Sequence, residues 1–416
     1  MIKFIVKYLS DLNIFNLYKR HQALVFNYFT LLTSGVVTLY LTSQMSTLFG
    51  PSDINYYERI ISIATIFVTI SIWGYDSTAM FDEAKRRKKK YLSVSLMLVL
   101  NFIVLATIII LLNLVFKWFQ NIYVILLITI TNLLFSTLSK MLTYAGLLKW
   151  VNISSILLTL FKLGGIMTLM YLFDAQIEWW FYGLISANIV ALLFILWICR
   201  DVLFIGLYDV RLFFRRYFKY NGLGLMLIAP QLLSILSERF GRIFISYQPE
   251  TDITAAYQLA QSTALIMLSL NVGYSRYFAS EFFEKTKRIG IKPYINSHLK
   301  PFIVICSIGM LACTMFWKFF IDPKYSNNFY NTSMVLLACT VYIFDGFIKF
   351  YLFRFTYLKA YKSLTIYMLS FFCMYSFLAF LLNKSIGSVG VIVASLISNI
   401  VLLLILYNNT SSEEGQ

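Results

Sequence analysis

Long apolar stretches alternate with short polar ones along almost the whole chain. A helix needs about 20 apolar residues to cross the hydrocarbon core of a bilayer, and Val94–Phe116 and Val389–Tyr407 are of that length. The pattern predicts twelve membrane-spanning helices, at 24–49, 56–81, 91–116, 121–147, 151–173, 177–200, 220–245, 254–279, 297–320, 328–354, 363–382 and 385–407. The predicted fold class is therefore an all-α integral membrane protein.

The first residues have a different pattern from the rest. Met1–His21 carry charges throughout and have no cleavage site of small residues, which argues against a signal peptide. An interfacial amphipathic helix over residues 1–21 is predicted instead. Its apolar side consists of Ile2, Ile5, Leu9, Leu12 and Phe15.

Composition agrees with a membrane protein. Hydrophobic residues make up 59% of the 416 and charged residues 13%, whereas soluble domains carry about a quarter charged residues. The five cysteines are Cys199, Cys306, Cys313, Cys339 and Cys373; they lie in or beside apolar stretches without a CxxC pair, so we interpret them as packing residues. His21 and His298 are interpreted as polar flanks of helices. No metal site and no cofactor are predicted.

Basic residues outside the predicted helices concentrate on one side of the membrane. The loops on the side of the termini hold the run Lys85–Lys90 and most of the other loop Lys and Arg. The opposite loops hold Lys117, Lys318, Lys324 and Lys384. This asymmetry predicts that both termini are cytoplasmic. Because the basic residues are spread over all the inner loops, they suit anionic lipid headgroups and argue against nucleic-acid binding.

Two landmarks recur at a constant offset of 199 residues. Asp53-Ile54 precedes Gly74-Tyr75 by the same spacing that separates Asp252-Ile253 from Gly273-Tyr274. A repeat of six helices keeps its orientation in the membrane, so the two copies are expected to be related by an axis along the membrane normal, with a transport path between them. The predicted units are residues 1–205, which include the interfacial helix, and residues 206–416.

The segments around these landmarks resemble a known family. LTSQMSTLFGPSDINYYERIISIATIF followed by GYDSTAMF, and YNGLGLMLIAPQLLSILSERFGRIFISYQPETDITAAYQLAQ, are similar to the signatures of Wzx-like polysaccharide flippases. These belong to the multidrug/oligosaccharidyl-lipid/polysaccharide (MOP) exporter superfamily. Glu238-Arg239 stands where an Asp-Arg pair is common in the family.

The resemblance implies a fold, a function and partners. It implies two six-helix bundles around a central cavity in the bacterial inner membrane. The function implied is translocation of undecaprenyl-pyrophosphate-linked oligosaccharides, of the O-antigen or a similar surface polysaccharide, from the cytoplasmic to the periplasmic leaflet by alternating access. A polysaccharide polymerase and a chain-length regulator are the implied protein partners. The implied protein is a transporter and not an enzyme.

Lys162 lies at the centre of the fifth predicted helix, beside Gly164 and Gly165. A Lys or Arg at the centre of a membrane helix costs roughly 2.5–3.5 kcal/mol and normally faces a cavity or a partner. From this depth the side chain cannot reach either interface, which is about 15 Å away. We therefore expect Lys162 to face a wet cavity or a carboxylate.

Five further cations lie inside predicted helices. Arg59, Arg276 and Lys349 are near helix ends, from which they can reach the interface. Arg239 and Arg242 follow Pro230, which is expected to kink the seventh helix. Spacing of four residues predicts the ion pairs Glu238–Arg242 and Asp345–Lys349, which leaves Arg239 unpaired. The candidate contacts for a substrate pyrophosphate or anionic glycan are Lys162, Arg239, Arg242 and Arg276.

The energy source and two alternative functions remain open at this stage. The chain has no GxxxxGK[ST] motif, so an ion gradient is expected to drive transport, with Glu238, Asp76 and Asp345 as candidate coupling carboxylates. One alternative is a multidrug exporter of the same superfamily, whose cavity is expected to be acidic. The other is a membrane polymerase or acyltransferase, which needs a catalytic His or paired carboxylates near one membrane face. The short outer loops and the two histidines argue against an enzyme.

Overall fold

The computed structural model describes residues 14–72, 91–117, 119, 121–144, 148–203, 210–248, 252–321, 329–357 and 360–412. Over these residues the chain forms twelve α-helices, as the apolar pattern predicts. They are α1 (Ile14–Leu48), α2 (Pro51–Ile72), α3 (Tyr91–Phe116), α4 (Ile122–Tyr144), α5 (Leu148–Leu172), α6 (Ile177–Leu203), α7 (Val210–Ser246), α8 (Asp252–Ile289), α9 (Ile291–Phe316), α10 (Phe329–Tyr357), α11 (Tyr361–Ile386) and α12 (Ser388–Ser412). A π-helical segment, Trp317–Ile321, continues α9.

The outer surface of the helices is apolar. Within the described residues, nine helices contain a segment long and apolar enough to cross a membrane. On α3, for example, Leu114 and Val115 are 71% and 73% exposed. Such a surface is stable only against lipid, so the protein is a multi-pass membrane protein.

Consecutive helices run antiparallel across short turns. The turn at Gly50 between α1 and α2, the turn at Asn121 between α3 and α4, and the turn at Gly387 between α11 and α12 all lie at one end of the bundle. We call this the distal end. The α5–α6 and α7–α8 connections lie there as well, while α12 runs away from it.

The helices pack in two groups that meet along four helices. In the first group α5 packs on α6 and α2 on α4, and in the second α11 packs on α12 and α8 on α10. The groups touch where α1 and α2 lie against α7 and α8. Between them, Asn55 Nδ2 donates a hydrogen bond to Thr254 Oγ1 at 3.0 Å, across a separation of 199 residues. This separation equals the offset of the predicted repeat. The repeat axis and the division at residue 205 remain predictions.

Two helices begin ten residues earlier than the apolar pattern predicts. Helix α7 starts at Val210 rather than at residue 220, and α1 is already helical at Ile14. Neither 210–219 nor 14–21 contains Gly or Pro, and Arg and Lys are good helix formers, so the helices continue past their apolar parts. Residues 1–13 of the predicted interfacial helix lie outside the described residues.

The histidine and cysteine predictions have different outcomes. His298 is 8% exposed and its ring packs on Tyr294 and Phe278, so its interpretation as a polar flank is wrong. The neighbouring α8 covers this turn of α9, which periodicity along α9 alone does not show. Cys306, Cys313 and Cys339 are buried and unbridged, as expected of packing residues, whereas the unbridged Cys373 is exposed.

Candidate functional site

A cavity of about 160 Å³ lies where the two groups of helices meet. We call it the central cavity. It is formed by α1, α2, α5, α6, α7 and α8, and its lining residues are Thr38, Leu41, Thr42, Met45, Tyr57, Glu58, Ile61, Lys162, Trp180, Arg239, Arg242, Ser262 and Leu265. A cavity of this size has room for several waters.

The central cavity occupies the distal half of the bundle. Glu58 is seven residues from the start of α2 and Arg239 seven from the end of α7, so each lies about 10 Å from the distal end of its helix. Lys162 is ten residues from the end of α5, or about 15 Å. The cavity therefore reaches from below the distal end to the middle of the membrane.

A buried ion pair joins the two groups of helices on the wall of this cavity. Arg242 Nη1 of α7 donates to Glu58 Oε2 of α2 at 2.6 Å, and the two residues are 2% and 3% exposed. Ser262 of α8 donates to the other carboxylate oxygen at 2.5 Å. Gln258 donates to the backbone carbonyl of Arg242 at 2.9 Å, which fixes α8 against α7. Three helices are thus held together by one carboxylate–guanidinium cluster.

The predicted Glu238–Arg242 pair along α7 is wrong. Arg242 is bound to Glu58, and Glu238 instead pairs with Arg239, Oε1 to Nη2, at 3.1 Å. The prediction that Arg239 is unpaired is wrong for the same reason. The spacing of residues along one helix does not show which side chains a facing helix supplies. Here the facing helix α2 supplies Glu58, and the pair that it forms with Arg242 is buried.

Lys162 lines the central cavity, as expected of a cation at the centre of a helix. It forms no ion pair with any described residue, although Glu58 is close enough to interact electrostatically. The lining holds three cations, Lys162, Arg239 and Arg242. Two carboxylates offset these charges, Glu58 in the lining and Glu238 beside Arg239. One positive charge therefore remains in excess.

Several buried guanidinium nitrogens have no hydrogen-bond partner within the described chain. They are Nε and Nη2 of Arg242 and Nε of Arg239. A buried donor left without a partner costs about 1–3 kcal/mol, and more when it is charged. These nitrogens have almost no accessible surface in this structure, so a guest can accept hydrogen bonds from them only after the helices around the cavity move apart.

Aromatic rings form part of the same wall. Tyr57 and Trp180 line the cavity, and the Tyr57 ring stacks on Phe181 with the centroids 5.6 Å apart. Trp180 is in edge contact with Phe49 at 5.6 Å. These contacts fix the orientation of both rings. Flat apolar faces beside fixed polar groups are the usual lining of small-molecule sites.

A second cavity of about 70 Å³ lies among α7, α8, α10, α11 and α12. We call it the carboxylate cavity because Glu238 and Asp345 line it together with Lys349, Tyr342 and Asn399. Asp345 Oδ2 and Lys349 Nζ are 2.6 Å apart, which confirms the predicted pair along α10. Adjacent residues on a helix point about 100° apart. Glu238 therefore faces the carboxylate cavity while Arg239 faces the central one.

Two candidates are not placed by the structure, and one functional residue was missed. Asp76 lies outside the described residues, and so does the side chain of Arg276. Glu58 was not among the candidates, although it is a carboxylate seven residues inside an apolar helix. A search for acidic as well as basic residues within spans would have found it.

No protein-family model and no curated protein matches the chain. Solved structures do match it in fold. The lipid II flippase MurJ in an inward closed conformation aligns over 93% of this chain and 87% of its own, with a TM-score of 0.68 and 15% identity. An outward-facing multidrug resistance MATE transporter of the MOP superfamily aligns over 94% and 95%, with a TM-score of 0.63 and 14% identity.

A MOP superfamily transporter from Pyrococcus furiosus, described as having a binding pocket of reverse polarity, aligns over 94% and 96% of the two chains, with a TM-score of 0.61 and 13% identity. The chain therefore has the fold of MOP transporters. At these identities the likeness establishes the fold alone.

Proposed function

We propose that this protein is a flippase for undecaprenyl-pyrophosphate-linked oligosaccharides, such as O-antigen units, in the bacterial inner membrane. The observation that carries the proposal is the convergence of Lys162, Arg239 and Arg242 on one cavity between the two groups of helices. A pyrophosphate cannot cross a low-dielectric medium alone. Cations fixed in the lining offer it charge-assisted hydrogen bonds.

The lining favours an anionic substrate over a cationic one. The fold is shared by MurJ and by multidrug transporters, so the fold does not separate these functions. A cavity that binds drug cations needs free carboxylates, whereas both carboxylates here are already engaged by arginine. The multidrug alternative is therefore disfavoured by charge. The central cavity, of about 160 Å³, is large enough for the pyrophosphate group. The glycan needs more space, so the two groups of helices have to separate to admit it.

Translocation is proposed to run from the cytoplasmic to the periplasmic leaflet by alternating access. In this proposal the distal end faces the periplasm and both termini are cytoplasmic, as the distribution of basic residues predicts. Glu58, Arg242, Asn55 and Thr254 hold the distal ends of α2, α7 and α8 together in this structure. They separate when the cavity opens to the periplasm.

The proposed coupling to an ion gradient uses the wall between the two cavities. Glu238 lies in the carboxylate cavity and is paired with Arg239 of the central cavity. A proton or cation that binds Glu238 weakens this pair and frees Arg239 for the substrate anion. Asp345, already paired with Lys349, is the second candidate, and Asp76 is a third.

The experiment is deletion of the gene followed by complementation. Lipid-linked saccharides are extracted from the deletion strain and are identified and quantified by mass spectrometry. The amount of surface polymer is measured as well. The strain is complemented with wild type, Lys162→Ala, Arg239→Ala, Glu238→Gln and the control Lys384→Ala, whose ammonium lies over Phe380 outside both cavities. All variants are compared at equal expression.

We expect single repeat units to accumulate in the inner leaflet of the deletion strain and surface polymer to disappear. Wild type and Lys384→Ala restore the polymer, whereas Lys162→Ala and Arg239→Ala do not. Glu238→Gln is expected to transport without responding to collapse of the ion gradient. If lipid-linked units still reach the outer leaflet in the deletion strain but remain unpolymerised, the protein is an enzyme and the flippase proposal is wrong.

A further inference from the structure

A third cavity, of about 220 Å³, lies at the distal end and is separate from both cavities described above. We call it the distal pocket. Its lining residues are Tyr56, Arg59, Ile60, Ile63, Lys117, Phe119, Ile125 and Tyr247. They come from α2, from the α3–α4 turn, from α4 and from the end of α7. The distal pocket shares no lining residue with the central cavity.

Arg59 is held in the distal pocket by two aromatic rings. Its guanidinium carbon is 5.6 Å from the centroid of Tyr56 and 5.1 Å from that of Tyr247. Tyr56 is fixed in turn, because Asn121 Nδ2 donates to its hydroxyl at 2.6 Å. In a cation–π contact the ring lies against the face of the planar guanidinium, so the N–H groups can still donate hydrogen bonds within the guanidinium plane. The position of Arg59 is therefore fixed by neighbours that do not neutralise its charge.

Lys117 is held by the turn between α3 and α4. The side chain of Asn113 stabilises this turn with two hydrogen bonds. Its Oδ1 accepts from Phe119 N at 2.7 Å, and its Nδ2 donates to Phe119 O at 3.2 Å. Lys117 and Asn121 both have positive φ, 51° and 52°, in the left-handed region. This tight turn brings an ammonium to the same pocket as Arg59.

The two cations have no acidic partner in the described part of the chain. Neither Arg59 nor Lys117 is within ion-pair distance of a described carboxylate. Glu178, at the start of α6, is close enough to Tyr56 for a Coulombic interaction but does not line the pocket. No described carboxylate is therefore paired with either cation.

The rest of the pocket is apolar and lies beside the lipid-facing surface. Ile60, Ile63 and Ile125 form its inner wall. On the adjoining helices, Val115 is 73% and Tyr123 51% exposed. A guest with a phosphate next to hydrocarbon matches this combination of cations, rings and apolar wall, and it is available from the surrounding leaflet.

We propose that the distal pocket binds the phosphate of a lipid headgroup from the leaflet at the distal end, with Arg59 and Lys117 as its charged contacts. The shared chemistry is a lipid-borne phosphate, either the phosphodiester of an anionic phospholipid or the diphosphate of a polyprenyl carrier. This inference requires only that the protein spans a membrane. It does not rest on the proposed function.

Purified full-length protein is titrated with four probes and binding is measured by native mass spectrometry. The probes are phosphatidylglycerol, undecaprenyl diphosphate, zwitterionic phosphatidylcholine and inorganic pyrophosphate. Wild type is compared with Arg59→Gln/Lys117→Gln and with Lys318→Gln/Lys384→Gln. The second variant removes two lysines from the same end of the bundle, so it controls for net charge. Thermal unfolding midpoints verify that both variants are folded.

Wild type is expected to bind at least one of the two anionic lipids more tightly than phosphatidylcholine, and the tighter of the two identifies the source. Arg59→Gln/Lys117→Gln is expected to lose about tenfold in affinity for each cation removed, while the control variant binds as wild type does. Equal binding by all three proteins overturns the proposal. Tighter binding of inorganic pyrophosphate than of either lipid overturns it as well. Lys162→Ala is expected to bind these lipids normally at the distal pocket, so this test and the transport test fail independently.

Discussion

At the scale of single residues, one ion pair joins two helices on the wall of the central cavity. Arg242 of α7 donates to Glu58 of α2, and both side chains are buried. Because neither charge is exposed to water, each depends on the other for compensation.

The first residue-scale prediction concerns this pair. Arg242→Gln leaves a buried carboxylate with a hydroxyl as its remaining described partner, and breaking a buried pair from one side costs about 3–5 kcal/mol. The free energy of unfolding is therefore expected to fall by about that amount. Equilibrium unfolding in detergent measures it.

The double variant Glu58→Gln/Arg242→Gln is the control. It removes both charges and keeps polar groups of similar size, so it is expected to be more stable than Arg242→Gln alone. If the single and double variants lose the same stability, Glu58 does not depend on Arg242 in the folded protein.

The position of Lys162 was predictable from the sequence, because an ammonium ten residues or more from either end of an apolar helix has no route to water except through a cavity. The partner of Arg242 was not predictable. Spacing of four residues indicates which side chains meet along one helix, whereas Glu58 is 184 residues away in the chain.

At the scale of elements, α2, α7 and α8 determine how the distal end is closed. The starts of α2 and α8 and the end of α7 were predicted to within five residues, because apolar length fixes where a span lies. The start of α7 and the end of α8 each extend ten residues beyond the prediction, into polar sequence. Their neighbours were not predicted, because helices that are apolar on most sides carry little periodic signal for which face meets which helix. The hydrogen bond between Asn55 of α2 and Thr254 of α8 is an example of a contact that the periodicity of the sequence does not predict.

This contact predicts that a covalent link there stops transport. In a Cys373→Ser background, Asn55→Cys/Thr254→Cys is treated with a short bifunctional thiol reagent. The side chains are 3.0 Å apart, so crosslinking is expected to be efficient and to hold the distal end closed. Transport of the lipid-linked saccharide across proteoliposome membranes is measured before and after treatment.

Each single-cysteine variant is treated in the same way and is expected to retain its activity. Full transport by the crosslinked protein would mean that α2 and α8 do not separate during the cycle, and that the path lies elsewhere.

At the scale of the whole molecule, the helices were predictable from the sequence, whereas the cavity that each charged side chain faces was not. The twelve helices follow from composition and length, and nine of them contain, within the described residues, a segment long and apolar enough to cross a membrane. Leu114 and Val115 on α3 show the apolar exterior that the pattern required. The assignment of charges to particular cavities does not follow from them. It depends on how α7 places Glu238 in one cavity and Arg239 in the other, which is a property of the packed bundle.

The predicted units lead to an expectation for the divided chain. Residues 1–205 and 206–416, expressed together as separate polypeptides, are expected to associate through α1, α2, α7 and α8 and to co-purify through a tag on one of them. Glu58→Ala in the first polypeptide is expected to reduce recovery, because it removes the partner of Arg242. A pair that co-purifies no better than either polypeptide with an unrelated six-helix membrane protein would refute the division.

The hydrogen bond between Asn55 and Thr254 also bears on what a single polypeptide makes possible. In a homodimer, a residue on the two-fold axis faces its own copy, so the same side chain has to act as donor and as acceptor. When both copies lie in one chain, the two positions are free to differ. Here Asn55 donates and Thr254 accepts. The predicted repeat places Asn55 and Thr254 at equivalent positions of two copies in one polypeptide, and a single polypeptide permits such a directional contact. In the same way, Lys162 needs no matching lysine at the equivalent position of residues 206–416.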